Sequence, residues 1–316
     1  MLTRRHIRIK VLHALYAWFQ GGGGDAVAAE KNLARSIDRI HELYLYELKL
    51  LLELRHAAET VIERGLSKHL PSSEELHPNH RFVHNQFLVA LSESKAFEEA
   101  CEKAKVRWAD DRDIIMKLFQ QIRESTAYKT YLELPESDLE EDKAFVRKIY
   151  EGFITHNELF HQLYEERNLD WSDDLDAAQM LVQRNLRKGG SKKMEAELVL
   201  PLYKDEAEDR AFGPALFHSV LLHSESIETR IADKAKNWEM DRIALIDMLL
   251  MKMAAVEFEY FPMVPLKVTM NEYIELAKEY STPKSSVFVN GVLDKILLDL
   301  KAEGKVNKLG RGLLEG

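Results

Sequence analysis

The sequence lacks the features on which several classes of protein depend. It has one cysteine, Cys101, among 316 residues, so a disulfide framework and a multi-cysteine zinc site are both excluded. It also has no run of about 18 uncharged apolar residues that could span a membrane. The best candidate, Leu245 to Phe261, contains four charged residues and predicts a buried amphipathic helix instead. We therefore expect a cytoplasmic protein without a membrane contact.

Motifs for common enzyme chemistry are missing as well. The chain has no G-x-x-x-x-G-K-[ST] loop for nucleotide phosphates, no G-x-G-x-x-G turn after a strand and no H-E-x-x-H helix. Its twelve histidines are scattered. Three of them, His77, His80 and His84, lie in a polar stretch and could coordinate a metal, although no cysteine accompanies them. The sequence thus predicts a protein that is not an enzyme and holds no cofactor.

Glycine and proline are scarce, with 14 and 8 residues, and both disfavour the interior of a helix. Leucine, glutamate, lysine and alanine are abundant and favour it. Apolar residues make up 46% of the chain and charged residues 31%, which suits a soluble globular protein with a core. These proportions predict an all-α fold.

An excess of positive charge is also absent, since the net charge is −9. The chain is therefore not a general binder of polyanions, and any nucleic-acid contact requires a local patch. Residues 1–20 form such a patch, because they contain Arg4, Arg5, Arg8 and Lys10 and no acidic residue.

The first 20 residues predict a helix that begins after Thr3 as N-cap and ends at the four glycines 21–24. Arginines at the positive end of a helix oppose its macrodipole, whereas bound phosphates would make the arrangement favourable. Arg4 and Arg8 are one turn apart and can face the same groove. A solvated basic end that only aids solubility is the equal alternative.

Further along the chain, the pattern predicts helices separated by loops. Breaks are expected at 70–81, at Pro135 with the acidic run 136–142, and at 187–207. The acidic run is either a solvated linker or the charged first turn of the next helix. Residues 209–303 predict a compact series of helices with separators near Trp238, at 261–265 and at 281–286, followed by a flexible tail, 304–316.

A shift of 67 residues reveals an internal echo, with eight identities between 142–177 and 209–244. They include Phe145 with Phe212, His156 with His223, and Trp171 with Trp238. Residues 142–187 are therefore either a degenerate repeat of the core or a chance match between amphipathic helices.

The carboxyl half resembles a known family. Residues Val264–Ile296, VPLKVTMNEYIELAKEYSTPKSSVFVNGVLDKI, resemble the closing region of NusB antitermination factors, with Asn-Glu, ELAK and FVNGVLDK segments in the same order. Helix one, with Arg4, Arg5 and Arg8 before Ala-Leu-Tyr, is similar to the family's opening. Residues 238–257 are similar to its central helix. The resemblance covers 1–20 and about 209–298.

The resemblance implies an all-α fold of two small helical bundles with a helical insertion, 21–208. It also implies an RNA-binding antitermination factor that binds single-stranded boxA-type RNA with the small-subunit ribosomal protein NusE. The complex would act on the transcription elongation complex during rRNA transcription. The implied RNA-binding residues are Arg4, Arg5, Arg8, Lys284, Phe288 and Asn290. Lys284 stands where familiar members have an acidic or polar residue.

Two of these residues also have a physical interpretation, because an aromatic ring can stack on an unpaired base and an amide can read a base edge. Phe288 and Asn290 fit these roles, and a core position is the alternative for Phe288. Gly291 inside a helix costs about 1 kcal/mol relative to alanine. The close approach of another helix or of a ligand backbone would offset that cost.

The protein-partner surface carries over through Tyr16 and Asp247. An internal salt bridge or cap is the alternative for Asp247, and Glu257 is expected to brace the bundle internally. A rival function is a helical protein-interaction scaffold that has lost RNA binding. It predicts that the amino-terminal arginines pair with insertion acids such as those at 136–142.

Overall fold

The computed structural model describes residues 1–136, 138–187, 198–235 and 242–314. Within these ranges the regular elements are helices and no strand occurs, which confirms the predicted all-α fold. The α-helices of the described ranges are α1 (Arg4–Gln20), α2 (Ala26–Leu66), α3 (Ser73–Leu76), α4 (Gln86–Glu93), α5 (Lys95–Lys103), α6 (Arg112–Glu124), α7 (Thr126–Glu133), α8 (Leu139–Ile149), α9 (Glu158–Arg167), α10 (Leu175–Arg187), α11 (Glu206–Lys234), α12 (Leu245–Tyr260), α13 (Leu266–Tyr280) and α14 (Ser285–Ala302). None of the described helices is long and apolar enough to cross a membrane.

The chain divides into two compact units, and the division falls within α2. The core unit comprises Leu2–Ile37 and Tyr203–Gly316, and the insertion unit comprises Asp38–Leu202 together with Met1. The start of α2 belongs to the core unit because Leu33 and Ile37 are buried and Glu30 pairs with His218 of α11. The predicted insertion, 21–208, extends beyond this division at both ends. We propose 38–202 as its limits.

Helix α1 has the predicted limits. Thr3 is its N-cap, and the Thr3 backbone N–H donates to His6 Nδ1 at 3.3 Å. Gly21 ends the helix, and the three following glycines all have positive φ angles, which glycine adopts at little cost. Because the helix begins directly after Thr3, Arg4, Arg5 and Arg8 lie in its first two turns.

Helix α12 occupies the centre of the core unit and packs against α1, α11, α13 and α14. It is buried from Asp247 to Phe258, although it carries charges. Each buried charge has a polar partner: Asp247 accepts from the Ser285 hydroxyl, Lys252 Nζ donates to Glu228 Oε2 at 2.6 Å, and Glu257 binds Arg8. The helix is thus buried, as expected in place of a membrane span, but it is buried on all sides and has no exposed polar face as an amphipathic helix would.

The described part of the C-terminal tail, up to residue 314, is packed, in contrast to the flexible tail expected for 304–316. Lys308 Nζ donates to the carbonyl oxygens of Glu257 and Phe261 at 3.0 and 2.9 Å. Burial lowers the pKa of Lys308 to about 8, and Glu257 offsets part of that effect. The Leu309 N–H donates to the Pro262 carbonyl oxygen at 2.9 Å. No sequence pattern indicated this docking, because the groups at the end of α12 that hold the tail are backbone carbonyls, which every residue has.

The insertion unit has an aromatic core of its own. The rings of Tyr131 and Phe145 stack with centroids 3.8 Å apart, and Tyr46 contacts both Trp108 and Trp171. The acidic run 136–142 leads into α8, as the second interpretation of that run predicts. Asp138 is the N-cap of α8, and Glu140 and Glu141 lie in its first turn.

Asp142 continues the same run but is buried, and it joins three segments of the insertion unit. Its carboxylate accepts the Tyr131 hydroxyl at 2.6 Å and the Gln86 backbone N–H at 2.7 Å. The acidic run therefore supplies one core carboxylate besides a solvated first turn, which neither interpretation of the run foresaw.

Glu47 on α2 is fully buried in the insertion unit, where no described cation forms an ion pair with it. Burial raises the pKa of Glu47, and the hydrogen bond from the Tyr150 hydroxyl, at 2.6 Å, opposes this shift only in part. The carboxyl group therefore retains its proton in the folded state at a pH at which the unfolded chain has already lost it.

We expect Glu47→Gln to remove a pH dependence of stability. Above the usual pKa of glutamate, unfolding of the wild type releases this proton, so its free energy of unfolding falls as pH rises towards the raised pKa. The amide has no such proton. Urea unfolding between about pH 4 and 8, followed by tryptophan fluorescence, should show a growing advantage of the variant. Parallel profiles would contradict the prediction.

The internal repeat remains a prediction, and the two segments differ in secondary structure around residues 150–157. Residues 150–157 form a π-helical turn, Tyr150–Ile154, and a break before α9. The equivalent residues under the 67-residue shift lie inside the continuous helix α11. His156 thus precedes a helix, whereas His223 lies within one. Trp238 and Asp241 of the echo lie outside the described residues.

Candidate nucleic-acid interface

The start of α1 presents two arginines at the surface of the core unit. The side chains of Arg4 and Arg5 are 25% and 34% exposed, and the first turn contains no acidic residue. Arg4 Nη2 lies 3.2 Å from Glu208 Oε2, and Arg5 Nη2 lies 3.0 Å from Glu279 Oε2. Exposed pairs of this kind contribute only about 0–1 kcal/mol, so a phosphate can replace the carboxylate.

Arg8 is buried, which corrects its prediction as an RNA-binding residue. Its side chain is 2% exposed, and its guanidinium forms two hydrogen bonds with Glu257, at 2.6 and 2.9 Å. Burial alone would lower the pKa of Arg8, but the Glu257 carboxylate raises it above the usual value. Arg8 is therefore a permanent cation inside the bundle, and Glu257 has the internal bracing role that we expected.

Helical spacing explains the error. Arg4 and Arg8 do share a face of α1, as predicted, because both guanidinium groups lie over the ring of Phe212, at 5.0 and 5.4 Å from its centroid. That face packs against α11. Only the first arginine of the pair is close enough to the helix end to reach the solvent.

The acidic partners of Arg4, Arg5 and Arg8 differ from those that the scaffold alternative predicted. Glu208, Asp209, Glu257 and Glu279 all belong to the core unit. The scaffold alternative predicted partners such as those at 136–142. The pairs around α1 therefore follow from the core unit itself and give no reason to assign its arginines to the insertion.

A groove of about 510 Å³ lies at the start of α14. It is lined by Lys234, Pro283, Lys284, Val287, Phe288, Gly291, Val292 and Lys295. Five of these residues are apolar or glycine and three are lysines, and no acidic side chain is among the described residues that line the groove. The groove brings together two predicted RNA-binding residues, the exposed Lys284 and the half-buried Phe288.

Asn290 does not belong to this groove, although it too was predicted to bind RNA. Two residues along a helix are rotated by about 200°, so Asn290 lies on a different face of α14 from Phe288. It is half-buried there.

Sequence reasoning missed two of the groove's lysines. Lys295 follows Lys284, Phe288 and Gly291 at helical spacing, so a stripe along α14 could have revealed it. Lys234 comes from the end of α11, and no pattern within α14 points to it. Lys234 pairs with Asp299, and its carbonyl oxygen accepts from Lys295 Nζ at 3.5 Å.

Gly291 lies exposed on the groove side of α14. A Cβ atom at this position would meet no described atom within 4 Å. The close approach of another helix, one of the two explanations for this glycine, therefore receives no support from the described part of the chain. The approach of a ligand backbone remains.

Asp247 is buried, which corrects its prediction as a direct partner contact. It is 6% exposed, and its Oδ2 accepts the Ser285 hydroxyl at 2.7 Å. It thus ties the start of α12 to the start of α14, in agreement with the internal alternative. Tyr16, the other predicted partner residue, is 40% exposed on α1.

The described residues offer little for metal or thiol chemistry. Among them no group of three or more His, Cys, Asp or Glu side chains could hold a metal ion. Cys101 is buried, and burial raises the pKa of its thiol to about 11, which disfavours the reactive thiolate.

Comparison with known proteins agrees with these features. A sequence model of the NusB family matches residues 175–298. A transcription antitermination protein NusB of Salinibacter ruber is 47% identical over 121 residues, which are 38% of this chain and 75% of that relative. The chain belongs to the NusB family. Its groove and its paired arginines therefore lie within the region that defines the family or at the predicted family opening.

Two further NusB proteins support this membership. That of Chloroherpeton thalassium is 40% identical over 139 residues, 44% of this chain and 66% of the relative. That of Koribacter versatilis is 37% identical over 129 residues, 41% and 88% of the two chains. More than half of this chain is additional to each match, as expected for an enlarged member. No solved structure matches the chain.

The match to the family also bears on catalysis and on the limits of the core. NusB proteins are transcription antitermination factors without enzymatic activity, which confirms the prediction that the chain is not an enzyme. The matched region begins at residue 175 in α10, whereas we expected the core to begin at 209. The family pattern thus begins inside the insertion predicted from the sequence, and its first part, up to Leu202, belongs to the insertion unit of the structure.

Proposed function

We propose that this chain binds single-stranded boxA-type RNA through its core unit and acts as a transcription antitermination factor. The observation that carries the proposal is the groove at the start of α14, which Phe288 lines together with Lys284, Lys295 and Lys234. The relatives are named transcription antitermination proteins, which supports the same function.

The chemistry of the groove suits an unpaired nucleotide. The aromatic ring in the lining can stack on a base, and the lysines of the same lining can hold the flanking phosphates. Gly291 leaves room beside Phe288 for the sugar and backbone to approach α14. A duplex would not present an unstacked base to this ring, so the groove favours single strands.

Arg4 and Arg5 would add phosphate contacts at the start of α1, where the helix end contributes partial positive charge. Arg8 has no part in the proposal, because its guanidinium is buried. Asn290 can take part only if RNA extends around α14 to its other face.

The proposed protein partner is the small-subunit ribosomal protein NusE, with the exposed Tyr16 in the contact. Asp247 would act on the assembly indirectly, by holding Ser285 and the start of α14 in position. The resulting RNA–protein complex would join the transcription elongation complex during rRNA synthesis in the cytoplasm.

Salt dependence tests the phosphate contacts. We expect Lys284→Ala and Arg5→Ala each to weaken binding of a boxA-type RNA oligonucleotide and to reduce the slope of log affinity against log salt by about 1. Lys129→Ala is the matched control, because Lys129 is an exposed cation in the insertion unit. Fluorescence anisotropy between about 50 and 200 mM salt gives both quantities. Unchanged slopes in both variants would reject the assigned surface.

A further inference from the structure

The C-terminal segment, 305–314, reaches a defined position on the core unit, and two glycines permit it. Gly310 has a φ of +50°, and a Cβ there would lie 2.9 Å from Met263 Cε. A Cβ at Gly312 would overlap the Pro262 carbonyl oxygen. The backbone between them can approach the 261–263 loop only because both side chains are absent. The close backbone contacts on both sides of Arg311 therefore fix the position of this residue on the core unit.

In this position Arg311 contacts Glu208, an acidic partner of Arg4. Arg311 Nη2 forms an ion pair with Glu208 Oε2, the oxygen that also lies 3.2 Å from Arg4 Nη2. Arg4 Nε is held separately by Asp209 Oδ1 at 3.2 Å. One carboxylate oxygen thus serves two guanidinium groups. When Arg311 pairs with Glu208 Oε2, less of the negative charge of this oxygen is available to hold Nη2, the outer nitrogen of Arg4.

We propose that Arg311 is a positioning residue for RNA binding. Its ion pair with Glu208 leaves the outer nitrogen of Arg4 available to a phosphate. The inference rests on the proposed function. Asp209 pairs with Nε, the inner nitrogen of Arg4, and so orients the Arg4 side chain. The Arg4 guanidinium group also lies over the ring of Phe212. Arg4 therefore stays in place while its outer nitrogen exchanges Glu208 for the ligand.

Glu208 is the residue through which Arg311 acts, so a double-mutant cycle separates this role from direct RNA contact. The proteins are the full-length wild type, Arg311→Ala, Glu208→Gln and the double variant. Their affinities for a single-stranded boxA-type RNA oligonucleotide are measured by fluorescence anisotropy at fixed salt. Circular dichroism verifies that each variant keeps its helicity. Arg311→Lys serves as the conservative variant, and Arg4→Ala reports on the proposed function.

In the wild-type background, Arg311→Ala should weaken RNA binding about two- to fivefold, the range expected for exposed ion pairs. In the Glu208→Gln background the same change should have no effect, because Arg4 no longer has that competitor. Arg311→Lys should restore part of the affinity. An equal loss in both backgrounds would overturn the proposal in favour of direct contact between Arg311 and RNA.

Two other results would separate the inference from the function on which it rests. If Arg4→Ala weakens binding and Arg311→Ala does not, Arg311 has no positioning role while the RNA site stands. If Arg4→Ala leaves binding unchanged, the proposed use of Arg4 is wrong, and the role of Arg311 is wrong with it.

Discussion

Replacing Arg8 by methionine is expected to lower the free energy of unfolding of the core unit by about 3–5 kcal/mol. The substitution leaves the Glu257 carboxylate fully buried without its cation. The hydroxyl groups of Thr269 and Tyr273 still donate to it, at 2.8 and 2.9 Å, but neither neutralises its charge. Urea unfolding followed by circular dichroism measures the loss.

The double variant Arg8→Met with Glu257→Gln is the control for this prediction. It removes both charges and keeps an amide oxygen that can accept from Thr269 and Tyr273. Its stability should exceed that of Arg8→Met alone, because no uncompensated charge remains buried. If Arg8→Met costs less than about 1 kcal/mol, the pair is not the buried cation–carboxylate contact described here.

Replacing Phe288 by alanine is expected to have the largest effect on RNA binding. Loss of one stacking platform costs about 1–3 kcal/mol, or roughly 5- to 150-fold in affinity for single-stranded RNA. Phe288→Tyr keeps an aromatic face and should retain most of the affinity. Isothermal titration with the full-length protein measures these differences.

Leu298→Ala is the matched control for Phe288→Ala. Leu298 is an exposed apolar residue of α14 and is not one of the residues that line the groove. Its replacement should leave RNA affinity within about twofold of the wild type, a change of less than 0.5 kcal/mol. Equal affinities for Phe288→Ala and the wild type would remove the ring from the binding site.

Local sequence patterns predicted the all-helical character of the chain and several of the helix ends. Thr3 and the glycines 21–24 delimit α1, and the loops at 261–265 and 281–284 separate α12, α13 and α14. These limits depend on caps, glycine and proline, whose effects are exerted within one or two turns. The family resemblance likewise rested on contiguous segments, and the comparison with known NusB proteins confirmed it.

The direction in which a helix faces was harder to predict. Spacing placed Arg4 and Arg8 on one side of α1, but that side faces Phe212 in the interior. Asp247 looked available on an apolar helix, yet the start of α14 covers it. Tertiary packing determines whether each of these side chains is exposed, and the neighbouring residues in the sequence do not indicate that packing.

Contacts between distant segments could not be predicted at all. Lys234 joins the groove from the end of α11, and Arg311 reaches Glu208 from the C-terminal segment. The glycines that permit the second contact resembled a flexible end in the sequence, although in the structure they allow close packing. The composition of a short terminal segment does not distinguish these two roles of glycine.

The central claim is that the core unit of this NusB-family chain binds unpaired RNA. Its most direct test is a titration of the full-length protein into a labelled boxA-type RNA oligonucleotide, first as a single strand and then annealed to its complement. The single strand should bind with an affinity that falls steeply as salt increases, and the duplex should bind much more weakly. Equal affinity for both forms, or none for the single strand, would contradict the claim.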